Sequence, residues 1–300
     1  MLSGFLITRS YKADGALGRF LWHRALRIFP AFWACLLVTA FALAPVAFLR
    51  ENGSLAGFLA APNPPWLYVA SNALLRTGLT NIAGLFAASP YHFEVNGSLW
   101  TLQYEFSCYL AVALFAVLGL LRKPQVVLPT AWGIFVLYAV VAWRIGQHEA
   151  PTLLAALELL AYFALGSVAY LFRRAIPIRP WVAIAAAAIA IASIPTTLHA
   201  VTLAPCLSYI ALYAAMTLPI KSFDRRIDLS FGLYIYAFPI QQILTLFAVP
   251  TLGLPCYLLT TFALTLAFAA VSWMAIERPS LSLKTFRFGK QRPHAATTTS

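Results

Sequence analysis

Charged side chains are scarce in this sequence, and that scarcity decides its class. Only 10% of the 300 residues are Asp, Glu, Lys or Arg, while 61% are hydrophobic. A soluble domain carries about 25% charged residues, because its surface must be hydrated. The composition therefore excludes a soluble globular protein and predicts a polytopic membrane protein.

Cysteine is also rare, and its spacing argues against a metal centre. The four cysteines are scattered through apolar stretches, and no C-x-x-C pair occurs among them. Structural zinc sites and disulfide frameworks need closely spaced cysteines or a larger set of them. We therefore interpret the four as small buried hydrophobic residues, and we expect no metal and no tightly bound cofactor.

Long apolar runs, in contrast, are abundant. A helix needs about 20 apolar residues to span the hydrocarbon core of a bilayer. Eight stretches are of roughly this length, so the predicted fold class is all-α, with about eight full transmembrane helices. The predicted spans are residues 28–49, 99–121, 126–143, 151–172, 178–198, 200–220, 229–249 and 254–276.

The net charge of +12 is explained by topology rather than by nucleic acid. Eighteen of the 21 Lys and Arg residues lie on one side of the predicted membrane, in alternate loops and the two terminal segments. Because basic loops stay in the cytoplasm, we expect a cytoplasmic C-terminus and an external loop 50–98. These features predict an integral protein of the bacterial inner membrane, with lipid and not nucleic acid as its surroundings.

Both ends of the chain fall outside the predicted spans. Residues 1–8 are apolar but too short to cross a membrane, and they lack the charged start and cleavage site of a signal peptide. We interpret them as a helical stub, the inner end of a helix whose outer part is absent. The predicted membrane domain is residues 1–280, N-terminally incomplete, and residues 281–300 are predicted to form a basic, disordered cytoplasmic tail.

The most informative stretch is the loop-to-helix junction Asn96-Gly-Ser-Leu-Trp100. The helix after it carries Glu105, the only carboxylic acid between residues 99 and 121. An acid in hydrocarbon is costly and marks a functional site by default; the alternative is a Glu that only bonds a neighbouring helix. Helical spacing places Ser98, Thr101, Glu105 and Cys108/Tyr109 on one polar face. The side chain of Asn96 or Ser98 is expected to cap the helix.

Two further groups lie at the outer side of the predicted membrane. Glu158 is the second intramembrane acid, at a depth similar to that of Glu105, which predicts a shared polar cavity open outward. Separate packing roles for the two acids are the alternative. His92 and Glu94 precede the motif helix and could serve in acid–base chemistry at the outer surface, although an ordinary exposed loop histidine is the preferred interpretation for His92.

Arg24 and Arg27 form a basic pair before the first predicted span. Their i, i+3 spacing places both on one helical face near the cytoplasmic surface. Two adjacent guanidinium groups suit a phosphate ligand, because each offers a planar fork of donors. A cluster that only sets topology beside lipid headgroups is the alternative, and charge alone favours it.

Four stretches, taken in order along nearly the whole chain, resemble acyltransferase family 3, the integral-membrane acyltransferases that modify exported glycans. The Asn96–Trp100 form is similar to the branch that acylates exopolysaccharide and O-antigen. The four stretches are Ser3-Gly4-Phe5-Leu6-Ile7-Thr8, Arg24-Ala-Leu-Arg27-Ile-Phe-Pro30, Asn96-Gly-Ser-Leu-Trp100 with Glu105, and Glu277-Arg278-Pro279.

The resemblance implies a fold of about ten helices, acyl-CoA as co-substrate on the cytoplasmic side, and a hydroxyl of a carbohydrate or glycolipid as acceptor. Arg24 and Arg27 match the family's arginine motif for the CoA donor, which overturns the preference from charge alone. Trp100 and Glu105 match its Trp…Glu motif. The family's first helix, with its histidine, has no counterpart in this sequence, and Ala237 stands where many members carry another histidine.

For an O-acyl transfer we expect Glu105 to orient or activate the base or the acceptor from the outer half of the membrane, while the arginine pair holds CoA phosphate at the inner face. The candidate catalytic residues are Glu105, Trp100, Ser98 and Asn96, the candidate donor-binding residues are Arg24 and Arg27, and further candidates are Glu158 and His92.

Three functions remain open on the sequence. The first is a membrane O-acyltransferase, most often an acetyltransferase, that acts on a surface carbohydrate. The second is a transporter or flippase of a glycan or lipid-linked intermediate that uses the Glu105/Glu158 cavity. The third is an inactive, truncated relative. Acyl-CoA binding that depends on Arg24 and Arg27 separates the first function from the second.

Overall fold

The structure, a computed structural model, describes residues 1–14, 16–144, 151–196, 199–218 and 227–285. Within these ranges the chain is helical and contains no β-strand, which confirms the all-α class. Four helices of the described chain are long and apolar enough to cross a membrane by length and composition. The fold is that of a polytopic membrane protein.

Each predicted span overlaps a helix of the structure; residues 197–198 and 219–220 of two of the spans lie outside the described residues. A π-helical turn, Thr39–Leu43, joins the helices Leu17–Val38 and Ala44–Asn52, and a second one, Trp273–Glu277, joins the helices Leu254–Ser272 and Arg278–Ser282. In the described ranges the α-helices are α1 (Leu2–Asp14), α2 (Leu17–Val38), α3 (Ala44–Asn52), α4 (Pro65–Asn72), α5 (Trp100–Val117), α6 (Pro124–Arg144), α7 (Pro151–Leu171), α8 (Pro180–Ser193), α9 (His199–Thr217), α10 (Ser230–Leu246), α11 (Leu254–Ser272) and α12 (Arg278–Ser282).

The bounds differ most at the beginning of the chain. The helix that contains the predicted span 28–49 begins at Leu17 and continues to Asn52, a length of 36 residues. A span predicted from hydropathy stops at the first arginine, but the hydrogen-bonded backbone of the helix continues past that residue. The arginine pair therefore lies inside a helix. The predicted stub 1–8 is likewise longer, because α1 extends to Asp14.

The long helix α2–α3 is the centre of the fold. It contacts α1, α4, α5 and α10, and its side chains Phe20, Phe32 and Cys35 are fully buried. Around it, α1 and α6 both pack along α7, α8 packs along α9, and α10 packs along α11. A second, smaller apolar cluster is centred on Tyr138 of α6 and Ala161 of α7. This arrangement leaves the N-terminal half of α5 facing cavities on two sides.

Glycines allow two of these helix pairs to approach closely. A Cβ on Gly4 of α1 would lie 2.0 Å from the carbonyl oxygen of Phe163 in α7, and a Cβ on Gly232 of α10 would lie 2.8 Å from Cα of Ala269 in α11. Helices in membranes associate through such small residues, because lipid supplies no hydrophobic force to drive them together. Gly4, which belongs to one of the stretches that resemble the family, therefore allows α1 to pack closely against α7.

Replacing Gly4 with alanine is expected to destabilise the protein by about 1–3 kcal/mol, the usual cost of overpacking, because the clashing atom belongs to backbone. The measurement is the midpoint of thermal unfolding in detergent. Gly133→Ala is the matched control, since a Cβ at Gly133 would meet nothing within 4 Å. Equal midpoints for the two variants would refute the close approach of α1 to α7.

The C-terminal segment begins as helix. Residues 281–285 complete α12 and the 3-10 turn Leu283–Thr285, and the rest of the predicted tail, 286–300, lies outside the described residues. The Trp22 indole nitrogen donates to the carbonyl of Leu283 at 3.3 Å, and the His23 ring lies 3.2 Å from the carbonyl of Lys284. This segment is therefore attached to the start of α2.

Candidate active site

A cavity of about 810 Å³ lies between α1, α2, α5, α7 and α10, and we call it the arginine cavity. Its walls include both arginines of the basic pair, Arg24 and Arg27, together with Glu105 of α5. The sequence-based hypothesis placed Glu105 in the outer half of the membrane, away from the arginines. The structure corrects this separation, because all three side chains line one cavity.

The carboxylate of Glu105 is held within its own helix. The hydroxyl of Tyr109, one turn further along α5, donates a hydrogen bond to Glu105 Oε1. Cζ of Arg24 lies 5.9 Å from the centre of the Tyr109 ring, on the opposite wall. Thr101 and Cys108 of the predicted polar face also line the cavity, whereas Ser98 precedes α5 and does not. Tyr109 thus connects the acid to the cationic side of the cavity.

Arg27 is fixed by two carboxylates from distant parts of the chain. Its Nη2 lies 2.7 Å from Oδ2 of Asp228, and its Nη1 lies 3.9 Å from Oε2 of Glu277. Glu277 is only 3% exposed, and its other oxygen accepts a hydrogen bond from Ser272 at 3.2 Å. Two motifs that the sequence presents separately, the arginine pair and Glu277-Arg278-Pro279, therefore form one network.

Asp228 keeps its negative charge at the mouth of this network. Burial acts to raise the pKa of its carboxyl group, but the Ser230 hydroxyl and the Arg27 guanidinium outweigh burial and hold that pKa below its usual range. The hydroxyl of Ser230 donates to Asp228 Oδ1 at 2.6 Å. At neutral pH Asp228 is therefore ionised, and it orients Arg27 into the cavity.

Arg24 differs from Arg27 in its partners. Its nearest hydrogen-bond acceptor is the hydroxyl of Ser10, at 3.5 Å from Nη2, and its buried Nε has no hydrogen-bond partner among the described residues. No carboxylate whose position is described pairs with it. Lys284 lines the same cavity. The arginine cavity can therefore accept an anion at Arg24.

The motif loop is attached to α10. Nδ2 of Asn96 donates to the carbonyl of Ile235 at 2.9 Å, and the hydroxyl of Ser98 donates to Oδ1 of Asn96 at 2.7 Å. The hydroxyl of Tyr234 donates to the carbonyl of Ser98 at 2.6 Å and also bonds the hydroxyl of Thr101. These contacts hold Asn96 and Ser98 as supports of the loop.

The predicted side-chain cap of α5 is wrong. The helix begins at Trp100 after Leu99, and no side chain caps it. Oδ1 of Asn96 instead accepts from the backbone nitrogen of Ser98, at 3.3 Å, before the helix begins. Asn96 therefore stabilises the loop and not the helix, because the hydrogen bond from its Nδ2 to α10 fixes the orientation of its side-chain amide.

A second cavity, of about 620 Å³, lies on the other side of the start of α5, and we call it the loop cavity. Trp100 lines this cavity, and Tyr104 lines both cavities. The rings of Trp100 and Tyr104 are in edge contact, with centroids 5.6 Å apart. The opposite wall comes from α4, with Asn72, and from the segment between α4 and α5, with Tyr91 and Glu94.

Glu158 and His92 line neither cavity. Leu159 and Tyr162 of α7 line the arginine cavity, whereas Glu158 of the same helix does not. The predicted cavity shared by the two acids is therefore wrong, because the rotation of α7 brings the neighbours of Glu158, and not Glu158 itself, to the cavity that Glu105 lines. His92 is exposed, and its Nδ1 lies 2.9 Å from the carbonyl of Ala87.

Several residues of the site have no signal in the sequence that would have found them. Tyr104 and Tyr234 are two of thirteen tyrosines in a chain rich in aromatic residues, and Lys284 lies in a segment predicted to be disordered. Tyr109 is the exception, because helical spacing places it on the predicted polar face with Glu105. The others become neighbours only through the packing of α5, α10 and α12.

The fold and the arginine cavity together define a membrane protein in which a half-buried acid and two arginines line one cavity. The family model described as the acyltransferase domain, acyltransferase family 3, matches residues 1–274. The chain therefore belongs to this family, and it is an acyltransferase for groups other than aminoacyl groups.

Curated proteins support the same assignment. The chain is 27% identical over 315 residues to "Nodulation protein 10" of Rhizobium leguminosarum bv. viciae, a match that covers 95% of this chain and 81% of that protein. It is also 27% identical over 300 residues to "O-acetyl transferase" of Shigella phage Sf6, covering 94% and 82%. No solved structure matches the chain.

Proposed function

We propose that this protein transfers an acyl group, acetyl in the first instance, from acyl-CoA to a hydroxyl of a cell-surface or exported carbohydrate. It acts in the bacterial inner membrane with its C-terminus in the cytoplasm, the orientation favoured by the positive-inside rule. The observation that carries the proposal is the arginine cavity, where Arg24 and Glu105 line the same space. The similarity to an O-acetyl transferase supports acetyl as the group.

Acyl-CoA suits the arginine cavity by charge. Its phosphates are anions, and guanidinium groups bind phosphate with two parallel hydrogen bonds. Arg24 has no described carboxylate partner, whereas Arg27 is already paired with Asp228. We therefore assign the phosphate contact chiefly to Arg24, with Lys284 beside it and Arg27 held in position by its two acids.

Glu105 is proposed as the general base. It accepts the proton of the acceptor hydroxyl while the hydroxyl oxygen attacks the thioester carbonyl carbon. A carbon–oxygen bond forms, the carbon–sulfur bond breaks, and the proton passes to the departing CoA sulfur, so that the products are an ester and free CoA. The hydrogen bond from Tyr109 orients the carboxylate. No histidine is among the described residues that line this cavity.

The proposed function is tested in a bacterial host that lacks its own copy of the enzyme. Expression of this chain is expected to add acetyl groups to the surface glycan, measured by mass spectrometry of the purified glycan. A Glu105→Gln variant expressed at the same level serves as the negative control. Unmodified glycan with the wild-type chain, together with no acetyl transfer from acetyl-CoA by purified protein, would contradict the proposal.

The transporter alternative has lost its structural basis. It relied on a polar pathway shared by Glu105 and Glu158, and these two side chains do not line a common cavity. Acyl-CoA binding also separates the two functions, because a flippase does not require it.

Arg24→Ala is expected to weaken CoA binding by about tenfold or more, the usual loss when one charge-assisted contact is removed. Isothermal titration of the detergent-purified protein with CoA measures the change. Arg174→Ala is the matched control, because Arg174 is exposed, lies in another basic loop and does not line the cavity. Equal CoA affinity in both variants would exclude Arg24 from the donor site.

A further inference from the structure

The first turns of α5 separate the two cavities. Thr101 and Glu105 line the arginine cavity, Trp100 and Gln103 line the loop cavity, and Tyr104 lines both. Successive helical residues point in directions about 100° apart, so neighbouring positions can serve two sides of one helix. A donor in one cavity and an acceptor in the other would therefore meet beside Tyr104 and Glu105.

The loop cavity differs from the arginine cavity in charge. No lysine or arginine is among the described residues that line it, and its polar groups are hydroxyls, amides and one carboxylate. Its aromatic rings, those of Tyr91, Trp100 and Tyr104, offer flat apolar faces next to these polar groups. Such walls suit a neutral ligand with many hydroxyl groups and disfavour an anionic one.

Asn72 gives independent support for a ligand in this cavity. The residue is 1% exposed, and its Nδ2 donates to the carbonyl of Leu79 at 2.8 Å. Its Oδ1 is buried and has no hydrogen-bond partner among the described residues. Buried polar atoms in native proteins are nearly always satisfied. Because Asn72 lines the loop cavity, a hydroxyl donor that enters this cavity would complete its bonding.

The carboxylate of Glu94 is placed beside the motif glycine. A Cβ on Gly97 would lie 2.5 Å from Oε2 of Glu94 and 2.8 Å from the Phe238 ring, so a side chain at this position would displace the Glu94 carboxylate or the ring. No hydrogen bond or ion pair in the described part of the chain engages the Glu94 carboxylate. It is therefore a second acceptor in the cavity wall.

The wall that carries these acceptors is held in place from α10. Nε2 of Gln242 donates to the carbonyl of Tyr91 at 2.9 Å and to the carbonyl of Glu94 at 2.6 Å. The backbone nitrogen of Val95 donates to the carbonyl of Thr80 at 2.9 Å. Because this wall is already ordered, a ligand that binds there does not lose free energy to fixing the conformation of the acceptors.

We infer that the loop cavity is the acceptor subsite, which binds a neutral, hydroxyl-rich sugar unit. Asn72 and Glu94 accept hydrogen bonds from sugar hydroxyls, and the rings of Trp100 and Tyr104 pack against the sugar. One further hydroxyl reaches the edge of Tyr104, where Glu105 accepts its proton. This inference rests on the proposed function and deepens it, because it names the acceptor class and the residues that recognise it.

Glu94→Gln is the variant that tests the subsite, because it removes the charge and keeps the shape. We expect the KM for the acceptor to rise about tenfold, the cost of weakening a charged hydrogen bond, with CoA affinity and thermal midpoint unchanged. The assay measures transfer from radiolabelled acetyl-CoA to a panel of neutral methyl hexosides and to the methyl glycosides of the corresponding uronic acids, which carry a free carboxylate. Transfer is expected to neutral hexosides in preference to uronides.

Glu51→Gln is the matched control, since Glu51 of α3 is exposed and does not line the cavity, and a glutamine there can still accept the hydrogen bond that Glu51 Oε1 receives from the backbone nitrogen of Phe86. An acceptor KM in Glu94→Gln equal to that of the wild type, or a preference of the wild type for uronides, would overturn the subsite alone. Failure of the wild-type protein to acetylate any glycoside would overturn the proposed function, and the subsite with it. CoA affinity confirms that each variant is folded.

Discussion

Replacing Glu105 with glutamine is expected to lower the rate of acetyl transfer by about 100-fold or more, the lower end of what a positioned general base contributes. The amide keeps the size of the side chain and can still accept the bond from Tyr109, but it cannot take a proton. CoA affinity should stay at the wild-type value, because the phosphate contact is assigned to Arg24. Single-turnover transfer of radiolabelled acetyl groups measures the effect.

Glu158→Gln is the control for this experiment. It removes the other intramembrane acid, which lines neither cavity, and it should retain wild-type transfer. Tyr109→Phe removes the hydrogen bond that orients Glu105 and should give an intermediate loss in kcat with little change in the KM for acetyl-CoA. If Glu105→Gln retained the wild-type rate, the proton would have to be accepted elsewhere, and the role proposed for Glu105 would be wrong.

The positions of the helices were predictable, because a membrane span is a property of a continuous stretch of sequence. Burying backbone in hydrocarbon requires that each segment satisfy its own hydrogen bonds, so apolar length alone identifies a helix. What hydropathy cannot supply is the rotation of each helix about its axis. Glu105 and Glu158 have similar predicted depths, yet α5 turns Glu105 into the arginine cavity while α7 turns Glu158 away from it.

The loop 50–98 was the least predictable part of the site. Five of its residues other than glycine have positive φ, a conformation that side chains disfavour, and tertiary contacts must therefore impose it. They are Asn63, Leu75, Ala83, Phe86 and Phe93. The bonds from Gln242 that hold this wall come from about 150 residues away, so no local pattern marks Glu94 or Asn72 as part of a cavity.

The motif residues were predicted for chemistry, and the structure gives several of them structural contacts. Asn96 and Ser98 bond each other and α10. Gly97 makes room for the Glu94 carboxylate and the Phe238 ring. The polar residues of this motif therefore fix the start of α5 against α10, and in this way they set the position of Glu105 in the helix that follows. Here α5 is positioned so that Glu105 and Trp100 face different cavities.

Arg27→Met is expected to destabilise the protein by about 3–5 kcal/mol, the usual cost of leaving one charge of a buried pair without its partner. Glu277 is 3% exposed and Arg27 is 22% exposed, so water cannot replace the lost guanidinium around Glu277. Methionine fills a similar volume, which separates the loss of charge from the loss of packing. Chemical unfolding in detergent, followed by tryptophan fluorescence, measures the difference.

A double-mutant cycle identifies the cause of this loss. Glu277→Gln removes the stranded charge, and its amide can still accept the bond from Ser272. The double variant should therefore recover much of the stability that Arg27→Met loses, as expected for residues that interact directly. Asp228 cannot produce such a rescue, because its side chain is 46% exposed and remains hydrated without Arg27. Additive losses in the cycle would mean that Arg27 stabilises the fold through packing, and that its contact with Glu277 is incidental.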